Sequence, residues 1–121
     1  MSYLKKRKSA FSVAFKGLKA FFIDEAHPKI HAFFGLLAVV FGFWLNISLS
    51  EWTTIILCIG LVISLEAVNS ALEKLTDIVS PEFNESAGKV KDIAAGAVLV
   101  ASIAAGIIGL IIFTPKILEI L

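Results

Sequence analysis

A chain of 121 residues that is 58% hydrophobic, with mean hydropathy +0.90, has room for one domain and falls outside the soluble globular class. Its formal net charge of +1 hides an uneven distribution, and once the 11 Lys and Arg residues are assigned to membrane surfaces no basic patch suited to nucleic acid remains. The single cysteine, Cys58, excludes an intrachain disulfide and reads as packing within an apolar span.

In chain order, Phe11, Ala14, Phe15, Leu18, Phe21 and Phe22 recur at three and four, opposite Ser9, Ser12, Lys16 and Lys19. That periodicity predicts an amphipathic helix over about 5–24, lying in the interface with its lysines among headgroups. The basic start Lys5–Lys8 resembles the head of a signal peptide, but Lys16 and Lys19 interrupt any apolar region behind it. Asp24, Glu25, His27 and His31 then bracket Pro28, which favours a helix start and turns the chain from interface to bilayer. His27 and His31 are spaced to share a helical face, but the proline intervenes and no further zinc ligand is evident.

Ala32–Ser50 and Ile93–Pro115 contain no charged residue, and each is long enough for a hydrocarbon core of about 30 Å. Trp52–Leu65 is too short alone and spans only if its helix continues through Glu66 to about Val79. Three spans are therefore expected, over about 29–48, 52–79 and 86–114. Asn46–Trp52 reads as a polar outer turn with Trp44 and Trp52 as interfacial anchors. Ser80-Pro81-Glu82 closes the second span, and Asn84 or Ser86 caps the third. Lysines crowd the N-terminus and the second connection and are absent from the first connection. The positive-inside rule then puts the N-terminus and the second connection in the cytoplasm. Ala97, Ala101, Ala105 and Gly109 form a small-residue ladder suited to close helix contact in a bundle or oligomer.

Glu66, Asn69, Glu73 and Asp77 follow one another at three, four and four, which places all of them on one helical stripe. Acidic groups in or beside hydrocarbon are costly, so the stripe serves pairing, transport or chemistry. No P-loop, dinucleotide fingerprint or kinase catalytic-loop motif is present. Any phosphate site must be assembled from Glu25, Glu66, Asn69, Glu73, Glu82, Lys91 and Asp92. Oxygen ligands of this kind suit Mg²⁺, a lysine suits phosphate, and a half-buried carboxylate suits proton transfer. On the residues alone, a proton or cation relay and a structural hydrogen-bond seam stay open beside an enzyme.

The segment EAVNSALEKLTDIVSPEFNESAGKVKDIAAGAV resembles the signature of the small bacterial membrane lipid kinases, the prokaryotic diacylglycerol kinase and undecaprenol kinase family. Upstream, FKGLKAFFIDEAHPKIH resembles that family's surface helix and the start of its first span. The resemblance implies an all-α homotrimeric membrane bundle, with a surface helix and three spans, in the cell inner (plasma) membrane. Its implied activity is transfer of the ATP γ-phosphoryl group to a membrane lipid alcohol: diacylglycerol first, undecaprenol as the alternative. A small oligomeric transporter is the alternative of another class.

By matching position, the resemblance gives Glu66 the role of proton acceptor, with Asn69 its neighbour. It gives Glu25 and Glu73 the magnesium that accompanies ATP, and Lys91 and Asp92 the nucleotide. Glu82, Phe83 and Asn84 match an adenosine-contacting connection, and Lys6 a basic contact on the surface helix. Val13 stands at a nucleotide position where the best-known pattern has an aromatic hydroxyl, and Asn84 stands where it has a histidine. Pro81 replaces small residues, while Lys29–His31 looks more like the undecaprenol kinase branch. Asp77 and Gly88 match the signature without an assigned role.

Overall fold

The computed structural model describes residues 2–25 and 27–121, all of them in helices or short connections. Helix α1 covers Tyr3–Asp24, α2 His27–Trp44, α3 Leu49–Val79 and α4 Glu85–Ile120. The side chain of His27 lies outside the described residues, so the pairing of His27 with His31 weighed from the sequence does too.

The N-terminus of α1 is capped by Ser2, whose hydroxyl accepts from the Lys5 amide. Its aromatic and basic faces are both exposed, as an interfacial helix requires, and Phe21 alone is buried among its residues. Pro28 occupies the first turn of α2, where its fixed φ suits a helix and its missing N–H costs nothing, and it is fully buried. Lys29 donates from Nζ to the Ile23 carbonyl, tying the start of α2 to the end of α1.

Helix α2 stops at Trp44, short of the expected 48, because Asn46 takes the left-handed conformation at φ 52°. The Asn46 amide returns to the Phe43 carbonyl at 3.4 Å and the Ile47 amide to Gly42 at 3.1 Å. Those two bonds are the Schellman pattern, and the buried Ile47 supplies its apolar contact. What reads as an outer turn running to Trp52 is therefore shorter. Ser48 caps α3 and exchanges hydrogen bonds with Glu51 in a capping box. Trp52 is half-buried, its ring 4.8 Å from that of Phe43, so it packs against the bundle.

Helix α3 runs unbroken through Glu66 to Val79. At 31 residues it is about 46 Å long. Asn84 caps α4, its Oδ1 accepting from the Ser86 and Ala87 amides at 2.9 and 3.3 Å. Helix α4 passes through Pro115 to Ile120, beyond the expected end at 114. A proline there removes one bond near a terminus. Ile112 and Phe113 pack into the core just before it, and Lys116 pairs with Glu51 at 3.2 Å just after it.

By length and apolar character α3 and α4 can each cross a bilayer, and α2 taken together with α1 brings the number to three. The core gathers at the Ser48 end, where Ile47, Ile55 and Ile112 are buried against Ala38, Leu45, Trp52, Ile59, Ile108 and Phe113. Most large apolar side chains elsewhere face outward, Ile56 and Leu57 among them, as hydrocarbon solvent allows. In the small-residue ladder Ala101 is buried and Ala97 is exposed.

Candidate functional site

The stripe on α3 is graded in depth. Glu66 is 5% exposed, Asn69 and the neighbouring Ser70 9% each, Glu73 is half-buried and Asp77 is exposed. Burial without a partner is costly for each of these groups, so each partner is informative.

Glu66 faces α2, with its Oε1 3.7 Å from Nε2 of His31. Asn69 donates from Nδ2 to Oε1 of Glu73 at 3.3 Å. That leaves Asn69 Oδ1 buried with no hydrogen-bond partner among the described residues. Lys74, adjacent to Glu73, pairs instead with Glu25 at the end of α1, at 3.5 Å. At the exposed end, Lys91 of α4 forms an ion pair with Asp77. Three contacts thus join α2, the end of α1 and α4 to α3.

The residues expected to act together are brought together unevenly. Glu66, Asn69 and Glu73 share the stripe, with Glu25 beside it through Lys74. Glu25 and Glu73 engage different partners, and no group of three or more His, Cys, Asp and Glu is arranged to hold a metal ion among the described residues. Lys91 reaches the stripe through Asp77, while Asp92 is exposed on α4. Glu82 and Phe83 stand out from the α3–α4 connection, Phe83 almost wholly exposed. Asn84 spends its side-chain oxygen on the α4 cap, which leaves its amide N–H group for any other contact. Lys6 and Val13 are exposed on α1.

Two concavities adjoin these groups. A groove of about 720 Å³ runs between α2, α3 and α4 from His31 towards the Ser48 end, past Phe34, Gly35, Ile59, Gly106 and Phe113. Its walls are mostly apolar, and His31 is the one basic side chain in its lining among the described residues. A second hollow of about 360 Å³ lies beside the α3–α4 connection, walled by Thr76, Ser80, Asn84, Ser86 and Ala87 among others.

The cross-helix partners escape sequence reading. Helical spacing relates groups within one helix, and neither His31–Glu66 nor Glu25–Lys74 leaves a periodic trace. Asp77 was visible as part of the stripe, but its lysine was not.

A family profile described as prokaryotic diacylglycerol kinase matches residues 12–113. An undecaprenol kinase of Bacillus subtilis is 39% identical over 92 residues, covering 76% of this chain and 75% of that protein. A diacylglycerol kinase of Escherichia coli K12 is 36% identical over 96 residues, 79% of each chain. A diacylglycerol kinase of Synechocystis is 34% identical over 113 residues, 93% of this chain and 65% of that protein. The matched span takes in the end of α1, all of α2 and α3, and the stripe with its partners, so this chain belongs to the prokaryotic diacylglycerol kinase family.

Proposed function

We propose that the protein is a membrane lipid kinase that moves the γ-phosphoryl group of ATP onto the hydroxyl of diacylglycerol, making phosphatidic acid. The observation that carries this reading is the graded stripe: one helix face leads from a buried carboxylate, facing a histidine that lines an apolar groove, to an exposed carboxylate paired with a lysine. A bilayer-dissolved alcohol suits the first environment and a water-soluble polyphosphate suits the second.

Glu66 accepts the proton of the lipid hydroxyl as its oxygen attacks the γ-phosphorus and the bond to ADP breaks. Asn69, one turn along, holds the neighbouring polar space, and Lys91 with Asp92 meets the phosphates. Lys6, Val13, Glu82, Phe83 and Asn84 belong to the nucleotide side. The reaction needs mainly positioning and charge neutralisation from the protein. Glu25 and Glu73 would hold Mg²⁺ through carboxylate oxygens, and the Asn69 Oδ1, without a hydrogen-bond partner among the described residues, is a further oxygen donor one turn from Glu73. When bound with ATP, that ion neutralises phosphate charge. The protein works as a homotrimer with three spans per chain in the inner membrane, its N-terminus and α3–α4 connection cytoplasmic.

Undecaprenol is the second reading of the acceptor. It is favoured by the position of the Lys29–His31 element, whose histidine stands against Glu66. The test is ATP turnover by the purified protein in mixed micelles, with diacylglycerol and undecaprenol assayed side by side and Glu66→Gln as control. Lipid-dependent turnover is expected, with a loss of about 10² to 10⁴ in kcat for the variant. Turnover with neither lipid overturns the reading. A preference for undecaprenol of about 10³ in kcat/KM, roughly 4 kcal/mol, exchanges the two acceptors.

A further inference from the structure

A carboxylate as enclosed as Glu66 needs a donor, and its own helix turns away from it: Asn69, one turn on, gives an amide N–H to Glu73. The facing group comes from α2. Nε2 of His31 lies 3.7 Å from Oε1 of Glu66, the imidazole a quarter exposed and the carboxylate 7%.

That approach is held from behind. Pro28, one turn before His31, is fully buried, and Lys29 is fastened to the Ile23 carbonyl, so the first turn of α2 has little freedom to slide along α3. His31 also lines the apolar groove, with Phe34 and Gly35 following it along the same helix. The ring therefore touches both the buried carboxylate and the space that opens to hydrocarbon.

We infer that His31 is a positioning residue for Glu66 in phosphoryl transfer. Its Nε2–H holds Oε1, and Oε2 is left to meet the lipid hydroxyl. The inference rests on the reading of Glu66 as proton acceptor. The proton passes from hydroxyl to Oε2 as the new P–O bond forms and the bond to ADP breaks, and His31 neither gains nor loses one. A separation of 3.7 Å is longer than a hydrogen bond. Contacts of this kind in unliganded enzymes tighten when substrate closes the site.

The test is a double-mutant cycle of His31→Leu and Glu66→Gln, with His31→Gln as the conservative variant, read in mixed micelles with dioctanoylglycerol and MgATP. Oligomer size and thermal unfolding are followed for every variant. His31→Leu is expected to lower kcat about 10²-fold with KM for MgATP unchanged, the scale of a misplaced catalytic group. His31→Gln, which keeps an N–H donor, is expected to recover most of that loss. In the Glu66→Gln background His31→Leu is expected to cost nothing further, because the group it orients is already disabled.

Near wild-type kcat for His31→Leu overturns the inference, as do losses that multiply in the double variant. A Glu66→Gln enzyme keeping more than about a tenth of kcat overturns the reading of Glu66 itself, and the inference falls with it. Should His31→Leu fail to assemble, His31→Asn, whose shorter amide stops short of Glu66, is read in its place by the same criteria.

Discussion

Lys91 on α4 forms an ion pair with Asp77 on α3, across the hairpin closed by Ser80–Asn84. Both side chains keep substantial exposure, so water and salt screen the pair and its contribution to stability stays below about 1 kcal/mol. Its weight lies in where it holds the lysine.

Lys91→Met should raise KM for MgATP by roughly 10- to 100-fold, the worth of a charged hydrogen bond at about 1.5–3 kcal/mol. Asp77→Asn should shift unfolding by less than about 1 kcal/mol. Steady-state kinetics and thermal melts check the two arms. An unchanged KM in Lys91→Met would remove the lysine from the phosphates.

Glu25→Gln and Glu73→Gln should each lower activity by about 10² to 10³ and raise the magnesium concentration needed for half-maximal rate. The readout is a magnesium titration at saturating ATP. Well-assembled variants with wild-type magnesium dependence would release both carboxylates from that role.

Orientation is checked by labelling. In a Cys58→Ala background, Leu49→Cys should react with a membrane-impermeant maleimide on intact cells, and Glu85→Cys only after permeabilisation. Both positions are exposed, and neither is a helix cap. The reverse pattern would put the nucleotide side on the wrong face of the membrane.

Gly42→Ala tests the far end of the bundle. A methyl group there would meet Cη2 of Trp52 at 2.7 Å and Cζ2 at 2.9 Å, on an indole already packed against Phe43. Overpacking of this kind should cost about 1–3 kcal/mol, seen as a lowered melting temperature with kcat retained in the folded fraction. Gly35→Ala, with its nearest contact at 3.3 Å to the Ile59 side chain, should lose less. Equal melting of Gly42→Ala and wild type would refute the close approach.

The long helices were legible because hydropathy and stripe spacing agree: Trp52–Leu65 is too short to span, and the charges after it share one face, so the helix had to continue. Asn84 was legible as a cap because its type and place in a polar connection point the same way. The end of α2 was not, since Ala32–Ser50 is uninterrupted by charge, although Asn46 is of the non-glycine type that most readily closes a helix in the left-handed conformation. The letters Ser48-x-x-Glu51 did hold a capping box, masked by the polar residues around it. Pro115 reads as a stop, yet contacts on both sides of it hold α4 together. The grouping of Glu66, Asn69, Glu73 and Asp77 was visible, whereas His31 and Lys91 as partners of Glu66 and Asp77, and Lys74 as partner of Glu25, depend on how helices pack.

The length of α3 has a consequence for the membrane itself. Its 31 residues exceed a hydrocarbon slab of about 30 Å by roughly half, and the rise from Glu66 to Asp77 is about 16 Å. The stripe thus runs lengthwise along a helix built to cross a bilayer, from an enclosed carboxylate to an exposed one. A thicker bilayer would draw Glu73 towards oil and a thinner one would lift Glu66 towards water. The lipids around this protein are therefore more than its substrate pool: their chain length sets the medium in which each carboxylate works.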